Sequence, residues 1–413
     1  MKILLSTLPI EGEFVNWTTS EDFTKKPTIV KYMPLGILSL ASNLPGHEIK
    51  ILDPPSEGWT IEETLEQIKK ENPDVLGLSA ITRRAWALEE ILKRTKVPYV
   101  AVGGPHATNY SDLIINQGAD VVFVGQLADK EFAKAIEIKQ EGIIYCETKI
   151  NDIAFPKREL LDYKKYFFKG KVLFEAEKRM PMFSSVGCPN QCTFCNVQSK
   201  QIQYKDSKTV VDEMQYLYSL GSRSIHVLDD NFNVSDAHLE GILDEMEKRK
   251  FKVEWSGRGQ VRMNLDLIPR MVKNGFKRIH VGFEALDDDI LKSFRKPQRM
   301  KDIEKFCKAM NKSGVEVLGY FILGSPAETQ EYRDALPGKI RKLGIKFPWF
   351  NVLFPEPDTE YYRSLLDDGI YQRDHWGQFM KNPTPNFRIP YPYGEERLKN
   401  VMAFHDKLVE EFK

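Results

Sequence analysis

The sequence predicts an α/β chain with two successive parallel-sheet domains and a short, mainly helical C-terminal element. Three observations predict it. Apolar runs alternate with helical patterns from residue 1 to about 140, a second alternating series starts at about residue 181, and the rhythm breaks between them. Fully apolar strands separated by helices mean a parallel sheet covered on both faces.

In the first series (residues 1–140), five strands are expected at 3–8, 48–52, 74–79, 99–102 and 120–124. Helices are expected at 35–44, 61–70, 85–94, 111–117 and 130–137, with Ile61, Leu65 and Ile68 on one face of the second. Such sheets bind ligands beyond the carboxyl ends of their strands. The loops 53–58, 80–84, 103–108 and 125–129 are therefore the ones to watch. Residues 141–180, with a charged and aromatic stretch at 155–163, read as an interdomain connector. The second series (181–357) gives strands at 182–186, 224–228, 252–256, 278–283, 316–323 and 346–354. Val210, Met214, Leu217 and Tyr218 form one intervening helical stripe, and Leu239, Ile242, Leu243 and Met246 the next. Six strand–helix repeats suggest six-eighths of a β/α ring. Residues 358–413 hold helices around a Pro-rich aromatic stretch at 383–393 and read as a lid or closing element.

Composition narrows the function classes. The 413 residues are 42% hydrophobic and 29% charged, which suits a globular protein with a real core. Lys plus Arg and Asp plus Glu each total 59, so no net field draws the chain to nucleic acid or an anionic membrane. The apolar start ends at Pro9 and is followed by Glu11 and Glu13, which is a first strand rather than a signal peptide. No apolar run reaches the roughly 18 residues of a membrane span. Five cysteines, three of them in one loop, argue against a disulfide framework and for a reducing cytoplasm.

That loop is Gly187-Cys-Pro-Asn-Gln-Cys-Thr-Phe-Cys195. Cys188, Cys192 and Cys195 can hold three irons of a cubane 4Fe–4S cluster, because soft thiolate is its preferred ligand. No fourth cysteine is near, so one iron would stay open to a non-protein ligand. Zinc and inert buried thiols are the rival readings. A structural zinc closes with four ligands, and no Cys or His follows at that spacing. His226, the nearest downstream histidine, falls in an apolar strand pattern as a core or site-lining residue.

The cysteine spacing resembles the radical S-adenosylmethionine (SAM) enzymes, and the resemblance extends over the whole second series, which then reads as a partial (βα)6 radical SAM barrel. It implies that the open iron chelates SAM and that an electron from the cluster cleaves it to methionine and a 5′-deoxyadenosyl radical. Phe194 would lie against adenine, or simply pack the loop. Leu228-Asp-Asp-Asn-Phe232 stands at the family's Gly-Gly-Glu-like motif. Asp229 or Asp230 would bind the SAM ammonium, unless this stretch, with Asn233 and Ser235, only caps a helix. Arg262 aligns with an arginine that pairs with the SAM carboxylate, and Arg258 is the alternative. Val281-Gly-Phe-Glu-Ala285 resembles the Gly-Ile-Glu-Ser motif, so Glu284 would bind the ribose or ammonium, with Ala285 where Ser is usual. Glu284 and Arg262 are thus the expected catalytic residues. Gly319 and Gly324 mark the adenine-contacting strand, where glycine permits close backbone approach. Glu328 reads as a first-turn helix residue. Glu356 and Asp358 depart from Pro-Tyr-Pro-Gly-Thr where substrate would be met.

The first series looks like the Rossmann-like cobalamin-binding domain that precedes one group of radical SAM enzymes. The matching stretches lie at 33–37, 51–54, 57–58, 73–79 and 102–108. Gly103 and Gly104 would let a corrin or its tail lie on bare backbone, and His106 would bond it or serve the loop. Arg83 and Arg84 would face the lower side of cobalt, with surface salt-bridging as the alternative. Two departures stand out. The Asp-x-His-x-x-Gly motif is absent, and Gly125-Gln-Leu-Ala-Asp129 replaces the usual Gly-Glu-Gly-Glu.

The resemblance implies a cobalamin-dependent radical SAM methyltransferase acting on an unactivated carbon. One SAM would methylate reduced cobalamin, and a second would supply the radical that removes a substrate hydrogen. The expected substrate is a peptide or protein residue, with a lipid or a tetrapyrrole as alternatives, and the electron comes from a donor such as flavodoxin or ferredoxin. Rival readings are a radical enzyme without cobalamin (epimerase, cyclase or oxidative) and an iron–sulfur electron-transfer scaffold. Neither Cys146 nor Cys307 is an obvious hydrogen donor for an epimerase.

Overall fold

The computed structural model describes residues 1–13, 33–167 and 178–413. The chain divides into two compact units, Met1–Tyr166 with Arg373–Ile389, and Phe167–Gln372 with Pro390–Lys413.

The first unit holds strands β1 (Lys2–Thr7), β2 (Glu48–Leu52), β3 (Val75–Ser79), β4 (Val100–Gly103), β5 (Val121–Val124) and β6 (Gly142–Tyr145). They form one parallel sheet in the order β2-β1-β3-β4-β5-β6. Successive residues Ile3, Leu4 and Leu5 are all fully buried, as a strand covered on both faces requires. The helix Ile61–Glu71 starts at a capping box between Thr60 and Glu63 and ends at Asn72 in the left-handed region (φ 44°). The sheet has six strands where five were expected. The sixth, β6, falls in the stretch read as connector and pairs with β5 as an edge strand. Its Gly-Ile-Ile-Tyr run is too short to mark a strand on its own, and its residues are half-buried or exposed, as suits an edge. The order reverses between β1 and β3, which makes the crevice beyond their carboxyl ends the natural ligand position.

The segment Arg373–Ile389 belongs to this unit, not to the barrel that the C-terminal element was expected to close. Its helix His375–Lys381 sets Trp376 and Phe379 against Phe387, with centroids 5.3 and 4.3 Å apart. The Asn386 N–H donates to the Gly12 carbonyl at 3.2 Å.

The second unit contains β7 (Arg179–Met182), β8 (Ser185–Val186), β9 (Gln203–Tyr204), β10 (Ser224–Val227), β11 (Glu254–Gly259), β12 (Phe276–Glu284), β13 (Glu316–Leu323) and β14 (Phe347–Val352). Six of these form a parallel sheet in the order β14-β13-β12-β11-β10-β7, the expected partial barrel. Its first strand was expected at 182–186. The chain instead pairs at β7, breaks at Phe183–Ser184, and forms a small antiparallel pair between β8 and β9 that brackets the cysteine loop. Alternation along the strands gives the sheet two characters. One face is aromatic and meets helices: Phe283 packs on Phe306 of the helix Met300–Lys312, and Phe350 on Phe412 after the last helix, Glu395–Glu411. The other face is polar. There His226 and His280 stack with centroids 4.6 Å apart, His226 Nδ1 meets Ser256 Oγ at 2.8 Å, and His280 Nδ1 meets Tyr320 Oη at 3.1 Å.

Candidate active site

The cysteine loop is tied to the carboxyl end of the barrel strands from several sides. The Gly187 N–H donates to Asp230 beyond β10 at 3.0 Å, and Asn190 donates to Gln260 beyond β11 at 3.4 Å. Between the cysteines, the Thr193 N–H donates to the Phe294 carbonyl at 3.1 Å, and the Thr193 carbonyl accepts from the Tyr361 N–H at 2.8 Å. Within the loop, the Cys195 N–H returns to the Cys192 carbonyl at 3.1 Å. All three thiols are free. Burial pushes the Cys192 thiol up to about 11 and raises Cys195, and the Lys296 ammonium opposes both shifts.

Asp229 and Asp230, left open between them by the sequence, occupy different environments. Asp229 is fully buried and accepts from the Ser184 N–H at 2.7 Å and from the Ser184 and Ser185 hydroxyls. It staples the strand end ahead of the cysteine loop. Asp230 is exposed and engages the Gly187 N–H through one oxygen. The helix cap in this region is Ser235, which accepts the His238 N–H at 3.2 Å; Asn233 bonds both the N–H and the carbonyl of Gln260 instead.

Glu284 ends β12 at a register shift, in the left-handed region at φ 63°. That conformation costs a residue with a Cβ roughly 1–2 kcal/mol, and strain of this kind clusters at functional sites. Its carboxylate pairs with Lys296 at 2.8 Å. Arg262 is exposed and donates to the Pro297 carbonyl at 3.3 Å, which brings it beside this pair. Arg258 donates to the Leu228 carbonyl, and its Nε is buried without a partner. Phe194 packs edge-on against Phe294 at 5.2 Å and stays half-buried.

Gly319 in β13 and Gly324 just after it serve the protein's own packing. A Cβ on Gly319 would lie 2.7 Å from the Phe283 ring, and one on Gly324 (φ 88°) would lie 3.0 Å from the Tyr391 hydroxyl. The space beside both is thus already filled, which a role in admitting adenine would not require. Glu328 accepts from the Gly324 N–H at 2.7 Å and pairs with Arg333 at 3.1 Å, fixing the same turn.

In the first unit, the loops after β3 and β4 are joined at the carboxyl ends of those strands. The Ala80 N–H donates to the Gly103 carbonyl (2.8 Å) and the His106 N–H to the Ala80 carbonyl (3.0 Å). Gly104 sits at φ 97°, where a Cβ would come within 2.7 Å of the Ala80 carbonyl oxygen, so only glycine fits. The His106 ring is buried, lies 5.0 Å from Tyr110, and leaves Nδ1 without a partner. Burial lowers it to about 4, so it is neutral at physiological pH. Arg84 joins the two loop ends, donating to Leu8 O at 2.9 Å and to Glu13 at 3.1 Å. Its guanidinium is therefore committed within the protein. Arg83 beside it is half-buried.

Residues 182–336 match the radical SAM superfamily, and residues 30–131 match the B12-binding domain. The chain carries a radical SAM domain and, ahead of it, a B12-binding domain. An uncharacterised methyltransferase of Pyrococcus horikoshii is 27% identical over 92% of the chain and 86% of its own length. The bacteriochlorophyllide d C-12(1)-methyltransferase of Chlorobaculum tepidum is 29% identical over 46% of the chain and 43% of its own length. Among solved structures, the radical SAM methyltransferase TsrM of Kitasatospora setae shares the fold, with a TM-score of 0.65 and 17% identity over 89% of this chain and 76% of that one.

The radical SAM domain fits its cluster. Three free cysteines lie on one loop gathered to the strand ends. Among the described residues no three His, Cys, Asp or Glu side chains surround a single ion position. A cubane sets each thiolate on its own iron and makes no such demand. The B12-binding domain fits cobalamin through the open backbone at Gly103, where a Cβ would meet nothing nearer than Phe123 Cβ at 3.8 Å, and the unpartnered Nδ1 of His106, whereas the space beside Gly104 is filled by Ala80. Sequence reasoning missed Lys296, because Phe294-Arg-Lys-Pro297 reads as a solvated turn. The polar face formed by Ser256, His280 and Tyr320 was missed as well. Its signal was present as period-2 polar residues inside runs read as buried strands.

Proposed function

We propose that the chain is a cobalamin-dependent radical SAM methyltransferase acting on an unactivated carbon. The observation that carries this reading is the cysteine loop, bound to the ends of β10 and β11 and followed by Glu284 at the end of β12, in a chain that also carries a B12-binding domain. When bound, the cluster, SAM and cobalamin supply the electron, the hydrogen-abstracting fragment and the methyl carrier.

The protein's share is holding and orienting. Cys188, Cys192 and Cys195 hold three irons. Asp230, one oxygen of which takes the Gly187 N–H, would offer the other to the SAM ammonium. Glu284 is placed for the ribose or ammonium, and Arg258 or Arg262 for the carboxylate. Gly103 and His106 would meet the corrin. A flavodoxin- or ferredoxin-type donor supplies the electron, and a reducing cytoplasm suits a chain with its cysteines free. Among the described residues no helix is long and apolar enough to cross a membrane.

For the substrate we favour a molecule with hydrogen-bonding groups, a tetrapyrrole or a peptide segment, over a hydrocarbon lipid. The polar barrel face of His226, Ser256, His280 and Tyr320 supports it, since its hydroxyls and ring nitrogens can take hydrogen bonds beyond those two pairs, which a hydrocarbon would not supply. The test is anaerobic incubation of reconstituted protein with methyl-labelled SAM, cobalamin, dithionite and a panel of tetrapyrroles, peptides and lipids, followed by mass spectrometry. Label in a tetrapyrrole or peptide is the expected result. Label in a hydrocarbon lipid would overturn the substrate reading, and 5′-deoxyadenosine without any labelled product would overturn methyl transfer.

A further inference from the structure

Lys296 stands outside every motif of the family resemblance, yet the structure builds a place for it. Its ammonium donates to Glu284 Oε1 at 2.8 Å, and the two side chains are only 13% and 9% exposed. The pair fills space that a missing side chain leaves. A Cβ on Gly282 would lie 2.2 Å from Glu284 Oε1 and 3.0 Å from Lys296 Nζ. Gln298, also buried, donates to the Phe283 carbonyl at 2.9 Å and holds the strand end beneath. Two residues before Lys296, the Phe294 carbonyl accepts the Thr193 N–H, a residue that follows Cys192 directly. The lysine is thus brought to the cysteine loop by backbone.

Burying an ion pair carries a desolvation penalty of several kcal/mol per ion, and an apolar pair of similar volume is often as stable. Stability therefore does not account for a lysine at this position. The charge arrangement does. The lysine sits on the turn whose Phe294 carbonyl is bonded to Thr193, between Cys192 and Cys195, whereas Glu284 ends β12.

We propose that Lys296 is a positioning residue that raises the reduction potential of the cluster held by Cys188, Cys192 and Cys195. Reduction adds one electron, from an external one-electron donor, to an already anionic cluster, and a nearby ammonium stabilises the reduced form more than the oxidised one. Glu284 anchors the ammonium and partly offsets its field. This rests on the cluster reading of the site and not on methyl transfer.

The test is a potentiometric titration of the anaerobically reconstituted full chain, read by electron paramagnetic resonance without cobalamin or substrate. Lys296→Met should lower the reduced fraction at a fixed potential by about tenfold or more, equivalent to about 59 mV for one electron. Iron and sulfide content should be unchanged. Lys296→Arg, which keeps the charge, should titrate close to the parent, and Glu284→Gln should shift in the opposite direction to Lys296→Met. Equal potentials for the parent and Lys296→Met would overturn the proposal. If Lys296→Met fails to hold its cluster, the remaining comparison decides: a Glu284→Gln potential equal to or below that of the parent overturns it. A normal titration with no methylated product would instead count against the methyltransferase reading alone.

Discussion

Asp229 and Asp230 are adjacent carboxylates that the fold sends to opposite tasks. Asp229 satisfies three donors of Ser184 and Ser185 in a fully buried setting. Asp229→Ala should therefore lower stability by about 1–3 kcal/mol, visible in thermal unfolding. Asp230→Ala, at an exposed position, should leave the melting temperature nearly unchanged and weaken SAM binding, measured by calorimetry on the reconstituted protein. The buried histidines give a second prediction at this scale. His106 and His238 are each held near 4 by burial, against 6.5 when unfolded. As pH falls below 6.5 the unfolded chain takes up protons that these rings refuse until about 4, so stability present at neutral pH is lost across that window. At about pH 5 each ring should cost about 2 kcal/mol. His106→Gln should flatten the fall in melting temperature between neutral pH and that point, and an unchanged slope would remove His106 from the account.

The strand–helix alternation was legible in the sequence because strands covered on both faces are continuous apolar runs. What escaped were elements too short for a run to be read. β6 is a short edge strand with half-buried residues, and β8 and β9 are two-residue strands whose pairing is set by the cysteine loop between them. That small pair is backed by a buried ion pair, Lys205 with Glu213 at 2.7 Å, with side chains 5% and 1% exposed. The Lys205 N–H also donates to the Ser184 carbonyl at 2.9 Å, one residue from β8. Removing one partner of such a pair typically costs about 3–5 kcal/mol, whereas replacing both by apolar groups costs far less. Lys205→Met should accordingly lower the melting temperature and the iron retained after reconstitution. Lys205→Met combined with Glu213→Leu should recover much of both. Among the candidate site residues, the cysteines were picked out by their spacing and Glu284 by its likeness to a family motif, whereas the distinct environments of Asp229 and Asp230 needed the positions of Ser184, Ser185 and Gly187. No local pattern could show that Lys296 meets Glu284, because the contact joins a strand end to a turn 12 residues on.

The whole molecule comprises two α/β units whose boundaries do not follow chain order. Residues 373–389 fold with the first unit although the sequence before and after them belongs to the second. Sequence patterns report local period and not distant partners, so this segment read as part of a barrel lid. Trp376 is buried in the first unit, and Trp376→Ala should cost about 3–5 kcal/mol there. Cobalamin retention should drop with it, while iron content in the second unit stays at the parent level. Both units must act for the central claim to hold, and one measurement reads both: the products of SAM in reduced, cluster-loaded protein, with cobalamin and without it, across the substrate panel. The account predicts 5′-deoxyadenosine together with S-adenosylhomocysteine, the latter appearing only with cobalamin. S-adenosylhomocysteine that forms equally without cobalamin, or no 5′-deoxyadenosine under any condition, would contradict it.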